Sequence, residues 1–196
     1  MNVNNYWLKQ SNIVSWYKKP SFAYKKKAGN YFDWYSDGKI NIYDNCITQN
    51  ILSGLGKKIA VHCVDKSKKI TSYTYDEIDK KVTLFAEKII FQLKNKDLSS
   101  CRIMIHASAS IESTISMLSC VKLGIHFSVI FEDLASEAIL KRITLFKPDI
   151  FFSRFKKKIF DKKILKKKFK NKTKFLFFNE LKYPNYKKKN NIENRS

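Results

Sequence analysis

Side chains that could act as bases, nucleophiles or metal ligands are few in this chain of 196 residues, and they are scattered. His62, His106 and His126 each fall in a short, mostly apolar run, with no spaced partner to complete a ligand set or a catalytic pair. Such histidines read as core or surface side chains. Ser108 and Ser110 have no recognisable base beside them. Cys46, Cys63, Cys101 and Cys120 stand far apart with no Cys-x-x-Cys pair, which favours reduced, buried thiols over a disulfide frame or a zinc site. Phosphate chemistry needs backbone N–H groups presented by a Gly-rich loop, yet the five glycines form no cluster. Lysines are plentiful, but unoriented lysines attract an anion equally in the ground and transition states, which does not speed a reaction. No paired carboxylates are placed for Mg²⁺.

The elements that must position these groups centre on residues 101–149. Residues 102–106 are a short apolar run, too brief for a helix and suited to a buried strand. Ser110 then caps a predicted helix with Ile111, Ile115, Leu118 and Val121 on one face, and Gly124 suits its C-terminus. A second strand is predicted at residues 127–131, followed by a helix with Ile139, Ile143 and Phe146 on one stripe, closed by Pro148. Ile150, Phe151 and Phe152 offer a third strand. Strand, helix, strand, helix, strand at this spacing predicts a parallel sheet with right-handed crossovers.

This stretch resembles the N-terminal region of AMP-forming acyl-CoA synthetases, in the acetyl- and propionyl-CoA synthetase branch of the adenylate-forming superfamily. That branch has a strand ending in Tyr-Met-Pro, a helix reading Glu-Ala-x-Ile-Ala-Met-Leu-Ala-Cys-Ala-Arg-Ile-Gly, and a strand reading Ala-Ile-His-Ser-Val-Val-Phe. Here stand Glu112, then Ile115-Ser116-Met117-Leu118-Ser119-Cys120-Val121-Lys122-Leu123-Gly124, then His126-Phe127-Ser128-Val129-Ile130-Phe131. Ser136 to Ile143 and Lys147-Pro148 continue the similarity. The resemblance implies an α/β fold, a mainly parallel sheet flanked by helices, forming the N-terminal part of an AMP-binding domain. It also implies a chemistry: ATP and a carboxylic acid give an acyl-adenylate and pyrophosphate, and coenzyme A then attacks to give the thioester. The family uses ATP, Mg²⁺ and CoA. The sequence departs from the pattern in places. The family's Met-Pro is Ala107-Ser108 here, its Gly-Gly is Glu132-Asp133, and its strand histidine falls at Phe127, with His126 one step away on the opposite face. A Gly- and Arg-rich segment after the third strand contacts CoA phosphates in this branch, and Arg154 is the one residue here that matches it, its flanking glycines replaced by Phe155 and lysines.

Residues 6–45 are aromatic-rich and keep no helical or strand period. An irregular arm anchored by Trp7, Trp16, Tyr17, Pro20, Phe32 and Trp34 fits that pattern, and the resembling branch has such an arm, with Trp, Trp-x-x-Pro, and Trp-Phe-x-Gly-Gly-x-Leu-Asn-x-x-x-Asn-Cys. Their counterparts are Trp7, Trp16 to Pro20, and Trp34 to Cys46. An aromatic nucleic-acid platform is the rival reading, and it needs a sheet surface to carry the rings, which the sequence does not announce. A short helix is predicted at residues 47–55, ended by Gly54 and Gly56, and a hairpin at residues 59–64 and 70–73. Thr74 and Glu77 form a capping box before a helix whose Ile78, Val82, Phe85, Ile89 and Leu93 make a core-facing stripe. Thr-Tyr-x-Glu-Leu opens the matching helix in the family, so the resemblance covers residues 7–153.

The net charge of +22 raises the question of nucleic acid. Residues 154–196 hold 17 Lys and Arg against 3 acids, and lysine outnumbers arginine 35 to 4. A/T-rich coding DNA is the expected source of that bias, ahead of a selected polyanion-binding tail, and arginine, the better fork for phosphates and bases, is scarce; the reading is therefore against nucleic acid. A basic amphipathic helix is expected after residue 153, docked on the sheet, then a strand at residues 174–178. The expected division is an aromatic arm (1–46), a partial AMP-binding-type α/β domain (47–178) and a disordered lysine-rich tail (179–196). No signal peptide is seen near residues 2–10, and no apolar run approaches the roughly 20 residues of a membrane span, so a cytoplasmic protein is expected. Together these features read as an N-terminal fragment of an acetate- or propionate–CoA ligase that ends before the family's first catalytic motif. No catalytic or metal-binding residue is assigned, no cofactor is expected to bind this chain alone, and a downstream polypeptide would complete the synthetase. The alternative is a non-catalytic module that contacts polyanions through its lysine-rich C-terminus. Deleting residues 179–196 is expected to leave the melting temperature nearly unchanged, because they hold too little apolar surface to offset the entropy of ordering. A large drop on thermal denaturation would show instead that the segment is docked.

Overall fold

In the computed structural model, which describes residues 2–65, 67–154 and 173–178, the arm is assembled from short pieces. Asn2 caps helix α1 (Val3–Gln10), its side chain accepting the Asn4 N–H at 2.9 Å. Strands β1 (Tyr24–Lys26) and β2 (Phe32–Trp34) pair antiparallel, with Tyr24 opposite Trp34 and Lys26 opposite Phe32. Gly29, at φ +74°, supplies the left-handed residue of the connecting turn. Long-range bonds hold the pieces together. Asn4 accepts the Ala23 N–H at 2.8 Å, and Asn45 accepts the Ser15 N–H at 2.7 Å while donating to its carbonyl at 2.9 Å.

The helix predicted at residues 47–55 starts earlier and is wound more widely. It runs as π-helix over Asp44–Thr48 and Ile51–Leu55, with Gly54 at φ 82° breaking its last turn. The wide turns put Tyr43 and Ile47 together in a core that also holds Ile78 and Val82. The hairpin forms as expected from β3 (Ile59–Val64) and β4 (Ile70–Thr74), antiparallel. The Thr74 hydroxyl accepts the Glu77 N–H at 3.3 Å, and the Glu77 carboxylate accepts the Thr74 N–H at 2.8 Å, which completes the capping box. Helix α2 (Tyr75–Leu93) then buries Ile78, Val82, Phe85, Ala86, Ile89 and Leu93.

Beyond it the chain alternates: β5 (Arg102–His106), α3 (Ile111–Lys122), β6 (His126–Ile130), α4 (Ser136–Phe146), β7 (Ile150–Ser153) and β8 (Lys174–Phe177). The four strands form one parallel sheet in the order β6-β5-β7-β8. This is the α/β architecture expected, and both faces are covered. Ile103, Ile105, Ile150 and Phe152 pack with α2 and α3, while Met104, Phe151 and Phe177 pack with Ile139 and Ile143 of α4. Two-sided burial is why β5 and β7 read as unbroken apolar runs. Ser110 caps α3, and Gly124, at φ +66°, ends it with Gly124 N–H on the Val121 carbonyl and Ile125 N–H on that of Cys120.

Helix α3 differs from expectation in one respect. Its most buried residues are Ser113, Ser116, Ser119 and Cys120, whereas Ile111, Ile115, Leu118 and Val121 are half-buried beside Tyr43, Ile47, Ile78 and Val82. The small side chain of Ser119 faces α2, where its hydroxyl meets the Val82 carbonyl at 3.1 Å and that of Ile115, within α3, at 2.7 Å. The expected basic helix after residue 154 and the tail at 179–196 lie outside the described residues. Phe85 is 8% exposed, with its ring 5.0 Å from Phe152 and 5.8 Å from Phe178. Phe85→Ala should cost about 3–5 kcal/mol in chemical denaturation, the usual range for emptying a buried aromatic site. A loss well below that would show that this junction between helix and sheet is not packed as described.

Candidate functional site

In a parallel sheet the connection leaving β5 runs toward β6, while β7 lies on the other side of β5. The strand order therefore reverses between β5 and β7, and a crevice at their carboxyl ends is where such sheets bind ligands. His106 and Ser153, the last residues of these strands, stand opposite each other there, with Nδ1 and Oγ 2.9 Å apart. Both are buried. The pair belongs to the core, out of reach of a substrate in solution. Arg154 follows at once, exposed, and its N–H donates to the His106 carbonyl at 3.2 Å. Ala107 donates to the carbonyl of Ile130, the last residue of β6, at 3.2 Å. Ser110 is engaged as the α3 cap, and half-buried Glu132 and exposed Asp133 follow β6. Among the described residues this edge offers one exposed guanidinium, suited to a phosphate, and no nucleophile–base pair open to solvent.

The remaining histidines are dispersed. His62 lies exposed on β3 and bonds Ser72 across the hairpin at 2.8 Å. His126 is exposed at the start of β6, opposite Arg102, at the other end of the sheet from His106. Phe127 turns inward beside it, so the one-residue displacement does invert the face. Among the described residues no three His, Cys, Asp or Glu side chains stand close enough to hold a metal ion. All four cysteines are free thiols. Burial pushes Cys120 up to about 12, and burial also raises Cys101. Cys46 is exposed and Cys63 half-buried, a correction to the expectation that all four would be buried.

A polar cluster joins the arm to the domain, and nothing in the local sequence marks it. The Tyr43 hydroxyl donates to Asp79 of α2. Lys122 of α3 lies 4.5 Å from the Tyr43 ring centre and donates to Thr83 at 2.9 Å and to both Asp79 and Tyr43 at 3.4 Å. Asn41 donates to the Val121 carbonyl at 3.3 Å. Burial, then the bond to Asp79, hold the Tyr43 phenol well above its ordinary value.

Tyr43→Phe should therefore destabilise the chain by about 1–3 kcal/mol, because Asp79 and Lys122 lose a partner in a partly dry site. The native chain's margin over that variant should be complete below pH 10.0, where the phenol is protonated folded or unfolded. Above it only the unfolded state ionises, so the margin should shrink as the pH rises. Denaturant titrations of both proteins through that range check the sign, and a margin that grows with pH would refute it.

No family model matches the chain. Curated relatives do. It is 26% identical over 139 residues to the acetyl-coenzyme A synthetase of Streptomyces coelicolor, covering 70% of this chain and 21% of that protein. It is 26% identical over 144 residues to the enzymes of the same name from Cupriavidus metallidurans and Burkholderia thailandensis, covering 72% of this chain and 21% of each. The chain thus spans about a fifth of the length of the curated relatives it matches. Among solved structures, the crystal structure of CmiS6 superposes with a TM-score of 0.51 at 15% identity, covering 58% of this chain and 26% of that one, a likeness of fold. Matches to several acetyl-CoA synthetases over about 70% of this chain, together with a parallel sheet flanked by helices, support an acetyl-CoA synthetase-like N-terminal region.

Proposed function

We propose that this chain supplies the N-terminal part of an AMP-forming acetate- or propionate–CoA ligase and does not complete the reaction by itself. The observation that carries the reading is the similarity to acetyl-CoA synthetases over 70% of this chain but only 21% of the relative. Adenylation builds negative charge on the transferring phosphate, which needs oriented donors and Mg²⁺. The sequence holds five unclustered glycines, and no step through Mg²⁺ is assigned to this chain. Its own contribution would be structural, with one contact: Arg154, exposed at the carboxyl edge of the sheet, would pair with a phosphate of CoA. Residues 1–46 would act as the arm, 47–178 as the partial domain and 179–196 as a tail, with a second polypeptide supplying the phosphate loop and catalytic groups. No described helix is long and apolar enough to cross a membrane, and the site of action proposed is the cytoplasm.

The purified chain should give no acetate- or propionate-dependent exchange of pyrophosphate into ATP. Exchange should appear when a polypeptide carrying the remainder of the Streptomyces coelicolor synthetase is added. Robust acid-dependent exchange by this chain alone would overturn the proposal. In a completed enzyme, Arg154→Gln should raise the KM for CoA about tenfold, the worth of one charge-assisted hydrogen bond, and leave pyrophosphate exchange unchanged.

A further inference from the structure

The arm carries its rings on a sheet after all. In the register of β1 and β2, Tyr24 pairs with Trp34 and Lys26 with Phe32, which places these four side chains on one face. The Tyr24 ring lies 5.5 Å from Phe32 and 5.3 Å from Trp34, Trp34 lies 5.6 Å from Trp7 of α1, and Trp7 lies 5.3 Å from Tyr6. The row is held from behind. Tyr35 donates its N–H to the Ala23 carbonyl at 2.7 Å and its hydroxyl to the Trp7 carbonyl at 2.9 Å, and Ala23 is fully buried. The rings nevertheless keep much of their surface in water: Tyr6 42%, Trp7 40%, Phe32 45% and Trp34 47%. A row of fixed, half-exposed aromatics is a patch with an unmet partner.

The partner's chemistry follows from the charge around the row. The first 46 residues hold seven lysines against three acids. Lys26 stands on the ring face, Lys9 in the last turn of α1, and Lys18 bridges Lys39 backbone to backbone. Lys27 is paired with Asp33 at 2.6 Å, but no ion pair joins Lys9, Lys19, Lys26 or Lys39 to a carboxylate among the described residues. A second copy would bring its own net charge of +22 against this one, whereas an anion with flat apolar faces complements both the rings and the lysines. We infer that the Tyr6–Trp7–Trp34–Tyr24–Phe32 row is a stacking platform for single-stranded nucleic acid, with the surrounding lysines on its phosphates. Unpaired bases supply a π-face at every step, and rings fixed in advance lose little entropy on stacking. A duplex hides those faces, so the site selects single strands. This inference does not rest on the synthetase reading.

Labelled oligo(dT) and oligo(U) of about 20 nucleotides, titrated with the full chain, test it by anisotropy and by tryptophan fluorescence. Both strands should bind and quench the tryptophans, more tightly than a duplex of the same length, and binding should weaken steeply between about 50 and 200 mM salt. Phe32→Leu, which keeps apolar bulk but removes the ring, should weaken binding about fivefold or more with circular dichroism unchanged, and Trp34→Leu likewise. Lys26→Gln should lower the salt dependence. If Trp34→Leu fails to fold, Phe32→Leu carries the test alone. Three outcomes overturn the inference: no quenching at low salt; binding to duplex and single strand alike that Phe32→Leu leaves intact, which assigns it to the lysine-rich segment 155–196; or a fluorescence shift with phosphatidylserine vesicles and none with oligonucleotide.

Discussion

Helix α2 lies between two cores, and burial of its single apolar stripe joins them. Ile78 and Val82, at its N-terminal end, close over Tyr43 and Ile47 from the arm side. Phe85, Ile89 and Leu93, further along the same stripe, close over Ile103, Ile105, Ile150 and Phe152 of the sheet. Each side chain buried this way contributes on the order of 1.5–3 kcal/mol relative to exposure, so α2 alone couples the two halves strongly. The capping box at Thr74 matters because it sets where the stripe begins. A shift of one residue would rotate it by about 100° and detach both cores.

Close packing of α3 on α2 is the second requirement. A large side chain at Ser119, whose hydroxyl meets the Val82 carbonyl of α2, would hold the helices apart. Serine meets the steric need while satisfying its own hydroxyl: Ser116 donates to the Glu112 carbonyl at 2.6 Å, and Ser119 to those of Ile115 and Val82. Once α3 is seated, Lys122 reaches Asp79, Thr83 and Tyr43, and Asn41 reaches the α3 carbonyl of Val121. The arm is thereby fixed to the domain by polar contacts as well as by apolar burial.

Two surfaces with separate chemistry result. The carboxyl edge of the sheet carries exposed Arg154 beside a buried His106–Ser153 pair, and the proposed phosphate contact would lie there. The arm carries half-exposed rings among lysines, a surface that anions with flat faces would complement. Neither surface needs the other. A chain that resembles part of an enzyme can keep its sheet for packing reasons while its exposed arm takes up a different ligand.

Local pattern by itself determines most of the elements. The stripe from Ile78 to Leu93, the caps at Thr74 and Ser110, Gly124 at a helix end, and the apolar runs at β5 and β7 are each decided by neighbours a few residues away, through hydrogen bonds and side-chain periodicity that act locally. The parallel order followed from the alternation of strands with helices. Three features were decided only by packing over long separations. Ser119 marks a close approach visible only once α2 lies beside it. Tyr43, Asp79 and Lys122 are meaningless apart in sequence and become one cluster when three elements converge. The arm shows no period because its strands are three residues long, too short to register alternation, so the sheet under its rings emerges only from the pairing of Tyr24 with Trp34.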